Sequence, residues 1–155
     1  MTIEQLKIYV PTATVETWHQ HPNGGGWVHN TAVVPAPLKI PANSFIGEWA
    51  TVGKGAKVGE GATVGEWAKV GEGATWNVSP LVIIGTRHLV CIPSAGNMKI
   101  GCMEHDIAWW RENGSEVAAR ENYTTDQVKE YAAYFALAEA WMAVYPEEGK
   151  IRSER

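Results

Sequence analysis

The feature that most constrains the fold is a repeat. Residues 46–75 read IGEWATVGKGAKVGEGATVGEWAKVGEGAT, with a period of six and a coarser period of eighteen. Aligned on the aliphatic residue, ten hexads follow one another without insertion. They begin at Val28, Val34, Ile40, Ile46, Val52, Val58, Val64, Val70, Trp76 and Val82. The second place is Gly at 47, 53, 59, 65 and 71, and the fifth is Ala at 32, 50, 56, 62, 68 and 74. A helix asks for apolar residues near a 3.6 spacing and a half-buried strand for a spacing of two. A strict six fits neither, and suits a stack of short strands and tight turns, one flat face per hexad. The aliphatic residue is expected to point inward, Gly to supply special backbone geometry at the corner, and Ala to pack under the turn.

The text IGEWAT VGKGAK VGEGAT VGEWAK VGEGAT resembles the hexapeptide-repeat superfamily, the left-handed parallel β-helices that include many acyltransferases and the γ-class carbonic anhydrases. The resemblance covers residues 28–87. It implies a mainly β fold, a left-handed parallel β-helix of about three coils, with three hexads per coil and a homotrimeric assembly. Eighteen residues would then make one coil, stacking residue i on i+18 about 4.8 Å away.

Both open ends of such a stack need covering. Residues 1–27 are expected to cap one end, with LKIYV as a strand, ahead of repeats over 28–101. Residues 102–155 read as a C-terminal helical segment. EHDIAWWREN and SEVAAREN suggest two short helices broken at Gly114. A longer helix begins at Thr124, whose spacing to Gln127 is that of a capping box, and stops near Pro146. Val128, Tyr131, Phe135, Ala138 and Met142 form its apolar stripe, read as core.

With 155 residues the chain suits a single domain, and a net charge of −4 offers no general attraction to long nucleic acid. No apolar run approaches the ~20 residues of a membrane span, and the N-terminus has no signal-peptide pattern. Two cysteines form no disulfide framework, so the expected compartment is the cytoplasm.

Three groups of residues invite chemistry. Glu48 and Trp49 recur as Glu66 and Trp67 one coil on, so two outward indoles beside two carboxylates offer either an aromatic platform for a sugar or planar ring, or a subunit contact. Thr51, Lys69 and Arg87 share one register, and Lys39, Lys57 and Thr75 another. These are solvated rims or anion-binding columns, and Arg87 beside His88 is the stronger candidate. HLVC at 88–91 and CMEH at 102–105 place His88, Cys91, Cys102 and His105 at spacings that a small zinc site can use, or that buried thiols and hydrogen-bonded imidazoles can equally occupy.

Three functions stay open. The first is a non-catalytic trimeric binder of a nucleotide- or sugar-like ligand in clefts between subunits, held by Trp49, Trp67, Glu48, Glu66, Lys69, Arg87 and His88, with no cofactor. The second, which the resemblance implies, is an acyltransferase using acyl-CoA, with His88 or His29 as general base. The third is an architectural trimer. The zinc pattern of the γ-class carbonic anhydrases is absent, with His19 and His21 lying ahead of the repeats and Gly, Glu and Trp at the coil positions where ligands are expected.

Overall fold

A computed structural model describes residues 1–151; residues 152–155, the end of the expected helical segment, lie outside the described residues. The chain opens with α1 (Ile3–Tyr9), β1 (Trp18–Gln20) and β2 (Trp27–His29). Six two-residue strands follow: β3 (Phe45–Ile46), β4 (Thr51–Val52), β5 (Lys57–Val58), β6 (Thr63–Val64), β7 (Lys69–Val70) and β8 (Thr75–Trp76). Then come β9 (Val82–Ile84), β10 (Leu89–Cys91), β11 (Asn97–Ile100), β12 (Met103–Asp106), α2 (Ile107–Arg120) and α3 (Thr125–Val144).

The expected left-handed parallel β-helix of about three coils is corrected by this architecture. The strands form four small separate sheets: a mixed one in the order β1-β2-β3-β6, an antiparallel one in the order β12-β11-β10-β9, and the pairs β4-β7 and β5-β8. Parallel pairing is confined to short stretches, with Phe45 opposite Thr63, Thr51 opposite Lys69 and Lys57 opposite Thr75. Before Phe45, Pro35, Pro37 and Pro41 remove the amide donors that further ladders would require, leaving isolated bridges from Val33 to Thr51 and from Gly25 to Pro41. After Trp76 the chain turns back on itself, and β9 to β12 pair antiparallel. The homotrimer implied with the β-helix loses that support.

Inside the repeat, each job falls on a definite place. Val52, Val58, Val64, Val70 and Ala50, Ala62, Ala68 and Ala74 are buried together. The second-place glycines serve close approach rather than a special dihedral: a Cβ on Gly53 would stand 2.6 Å from the Glu72 amide nitrogen. The left-handed corner is the fourth place, filled by Gly55, Gly61 and Gly73 at φ of 71, 74 and 68°.

The same core runs on through Val90, Ile92 and Met98 to Trp110, Tyr131 and Phe135, so sheet and helices share it. A second cluster of Leu6, Ala13, Trp18, Trp27 and Phe45 anchors the N-terminal segment. LKIYV is helical, not a strand, because Thr2 and Gln5 close a capping box and Leu6 drops into that cluster. The break expected at Gly114 is also absent. Helix α2 runs straight through it, capped by Asp106, and Gly114 lets Phe135 of α3 approach to 3.3 Å from where a Cβ would sit.

Candidate functional site

Helices α2 and α3 lie over one end of the antiparallel sheet and leave a cavity of about 270 Å³. Its walls are aromatic and aliphatic: Met103 and Ile100 from the sheet, Trp110 and Val117 from α2, and Val128, Tyr131 and Phe135 from α3. Part of the α3 stripe expected to be plain core thus faces this space. Polar groups reach it at a few points only, namely His88, Cys102, Arg111, Ser115, Glu121 and Tyr123.

The β9–β10 turn, Gly85 to His88, forms one edge and is held by α3. The Tyr131 hydroxyl donates to the His88 carbonyl at 2.6 Å and accepts from the amides of His88 at 2.5 Å and Arg87 at 3.2 Å. A Cβ on Gly85 would meet that hydroxyl at 2.5 Å, so only glycine admits it. One residue earlier on α3, Glu130 accepts from the Thr86 amide at 2.9 Å, from the Thr86 hydroxyl and from Tyr134 at 2.5 Å. Bonds from Thr86 and Tyr134 hold the Glu130 carboxyl below its ordinary range, and the same carboxylate pushes Tyr134 up to about 12.

The link between α2 and α3 supplies the other edge. Asn122 takes a left-handed φ of 57°, and its carbonyl accepts from Arg87 Nη1 at 3.0 Å. Arg87 also lies 4.7 Å over the Tyr123 ring, a cation–π distance. Tyr123 stacks beside the His88 ring at 5.7 Å and 21°, and its hydroxyl shares a hydrogen bond with His88 Nδ1. Burial pushes the Tyr123 hydroxyl up to about 12. Arg111 is paired with Glu139 at 2.8 Å on the outer face.

The residues expected to act together divide between places. Of the binding set, His88 lines the cavity and Arg87 braces it. Lys69 pairs with Glu104 at 3.4 Å on β12. Trp49 and Trp67 do stack, with centroids 5.6 Å apart and planes 18° from parallel, and each residue is about half exposed. Each indole therefore spends a face on the other, and neither lines the cavity; nor do their neighbours Glu48 and Glu66. Both occupy the left-handed fourth place, at φ of 59 and 65°. Trp49 is tied by its amide to Thr31 Oγ1 at 2.8 Å, and Trp67 by its amide to the Glu48 carbonyl at 2.9 Å.

The other histidines and the cysteines are occupied separately. His29 bonds Thr31 through Nδ1 at 2.8 Å with its ring edge-on to Trp18, and His21 is buried with Nε2 against the Leu38 carbonyl at 2.7 Å. His19 Nδ1 meets Asn30 Oδ1 at 2.8 Å. Of the four candidate zinc ligands, Cys91 is buried against the Lys69 backbone and pushed by burial up to about 11, while His105 stacks on Trp109 at 3.5 Å. Cys102 is exposed at the cavity mouth. Among the described residues, no three His, Cys, Asp or Glu side chains converge on a point where a metal ion would sit.

Sequence reasoning missed Tyr123 and Trp110 and read Tyr131 and Phe135 as core. The available signal was Tyr123 directly ahead of the Thr124 cap: an aromatic outside the stripe, at a helix entry, is free to face a space. Among the described residues no helix is long and apolar enough to cross a membrane. No family model, no curated protein and no solved structure matches the chain, so its site stands on its own geometry.

Proposed function

We propose that the protein is a non-catalytic binder of a small, mainly apolar ligand, held between the β9–β12 sheet and the α2–α3 pair. The observation that carries this reading is the cavity of about 270 Å³, walled by aromatic rings and touched by only a few polar groups. Ligand sites have this composition, apolar walls for affinity and sparse polar atoms for orientation. At about 30 Å³ of liquid volume per water, the space equals roughly nine waters, enough for a molecule of about ten non-hydrogen atoms. The walls suit the face of a flat ring better than a phosphate or a polyhydroxylated sugar, whose polar groups would lose water without replacement. This narrows the expected nucleotide- or sugar-like ligand to its ring-like part.

Two free thiols agree with a reducing, cytoplasmic setting, which forms part of the same proposal. The reading is tested by isothermal titration of the protein with naphthalene, a ten-carbon planar probe. The expected result is one saturable site per chain, lost in Ser115→Trp, where a large side chain is placed at an exposed position of the cavity mouth. No saturable binding, or binding unchanged in the variant, contradicts the reading.

A further inference from the structure

The polar atoms of His88 are almost fully engaged by two tyrosines. Its amide and its carbonyl both meet the Tyr131 hydroxyl, and Nδ1 meets the Tyr123 hydroxyl. The ring is further fixed by stacking on Tyr123 and by Gly101, whose left-handed turn (φ 58°) lies so close that a Cβ there would stand 3.1 Å from His88 Cδ2. One polar atom is left. Nε2 has no partner among the described residues, and no buried side-chain nitrogen or oxygen there goes without one, so Nε2 is reachable by solvent on a residue that lines the cavity.

Which nitrogen carries the proton follows from Tyr123. Its hydroxyl has a single hydrogen-bond partner among the described residues, His88 Nδ1. If Nδ1 carried the proton, Tyr123 would accept it and leave its own O–H without a partner among the described residues. Donating from Tyr123 to a bare Nδ1 satisfies both groups, and a hydroxyl pushed up to about 12 keeps its proton to donate. A neutral imidazole then has its one proton on Nε2.

The charges around the mouth add a second restriction. Arg111 is neutralised by Glu139, and the Glu121 carboxylate is balanced by the Arg87 guanidinium, since both charges act on Tyr123 at the mouth. An anionic ligand gains nothing there.

We infer that His88 offers Nε2–H to the cavity as a hydrogen-bond donor, that Tyr123 is the positioning residue that fixes this tautomer, and that the ligand is an uncharged planar molecule bearing an acceptor oxygen such as a carbonyl. This rests on the binding reading above and specifies the chemistry of the same site.

The test compares 2-acetylnaphthalene, which carries a carbonyl acceptor, with 2-ethylnaphthalene, which has nearly the same shape and none. Both are titrated calorimetrically at pH 8, above the ordinary imidazole range. The ketone is expected to bind on the order of tenfold more tightly, as one added hydrogen bond implies. Tyr123→Phe is expected to reduce that ratio towards one while 2-ethylnaphthalene still binds. Nitrogen-resolved NMR of the wild-type His88 ring, which depends on no variant folding, is expected to place the proton on Nε2. Equal binding of the two probes, a ratio unchanged in Tyr123→Phe, or a proton on Nδ1 overturns this inference while leaving the binding reading intact. Failure of both probes and of naphthalene overturns the binding reading itself.

Discussion

The Tyr131 hydroxyl donates to the His88 carbonyl at 2.6 Å while accepting from the His88 amide at 2.5 Å, so one phenol on α3 closes both backbone groups of a residue in the β9–β10 turn. It joins helix to sheet at the cavity edge. Tyr131→Phe leaves two amides and a carbonyl without their partner in a partly buried turn. The expected cost is about 1–3 kcal/mol, read as a lower urea midpoint at unchanged slope. A stability equal to wild type would show that water replaces the hydroxyl freely.

Gly114 presents a balance of two effects. Alanine in a helix interior gains up to ~1 kcal/mol over glycine, but its Cβ would press on Phe135 at 3.3 Å. Phe135 borders the cavity and can move into it. Gly114→Ala is therefore expected to raise thermal stability slightly and to weaken naphthalene binding, both visible in one pair of melting curves with and without the probe. A lowered melting temperature would mean that the ring cannot yield.

Trp49 and Trp67 sit where the other repeats carry left-handed glycine. Holding a bulky residue in that region costs about 1–3 kcal/mol, and a stacked aromatic pair returns about 0.5–1.5 kcal/mol. Trp67→Gly removes both, so the expected change runs from about 0.5 kcal/mol less stable to about 2.5 kcal/mol more stable by chemical denaturation. A loss above 2 kcal/mol would show that the stack holds the repeat together.

Two acid-base groups give opposite pH trends. The Cys91 thiol is raised by burial from 9.0 to about 11, so its contribution is complete below pH 9 and disappears as pH rises through about 11. Glu130 is lowered from 4.5 by its bonds to Thr86 and Tyr134, so its contribution is present above that value and lost as pH falls through its folded value. Cys91→Ala should flatten the alkaline limb of a stability profile and Glu130→Gln the acid limb. A profile unaltered by either change would contradict the assignment.

The repeat made the inward valines and alanines legible, because a six-residue period leaves one buried aliphatic and one small residue per face. It did not show where the pattern stops governing the backbone. Trp76 and Val82 continue the period, yet the chain after Trp76 forms antiparallel strands. The reason lies 44 residues away, in Glu130 and Tyr131 binding the Thr86–His88 turn, a contact that no local pattern encodes. Trp49 over Trp67 was readable from the eighteen-residue spacing, but stacking turned the pair's faces towards each other rather than towards a ligand. His88 and Arg87 were readable as a polar pair at the end of the repeats. Tyr123 was not, because its value comes from folding back onto them across the α2–α3 link.

The most direct test of the cavity as a binding site uses its own thiol. Cys102 is exposed at the mouth, whereas Cys91 is buried and holds its proton, so iodoacetamide at neutral pH reads Cys102 alone. Saturating naphthalene should slow alkylation of Cys102 severalfold in the wild-type protein and leave the rate unchanged in Ser115→Trp. An alkylation rate indifferent to naphthalene in the wild-type protein would contradict the account.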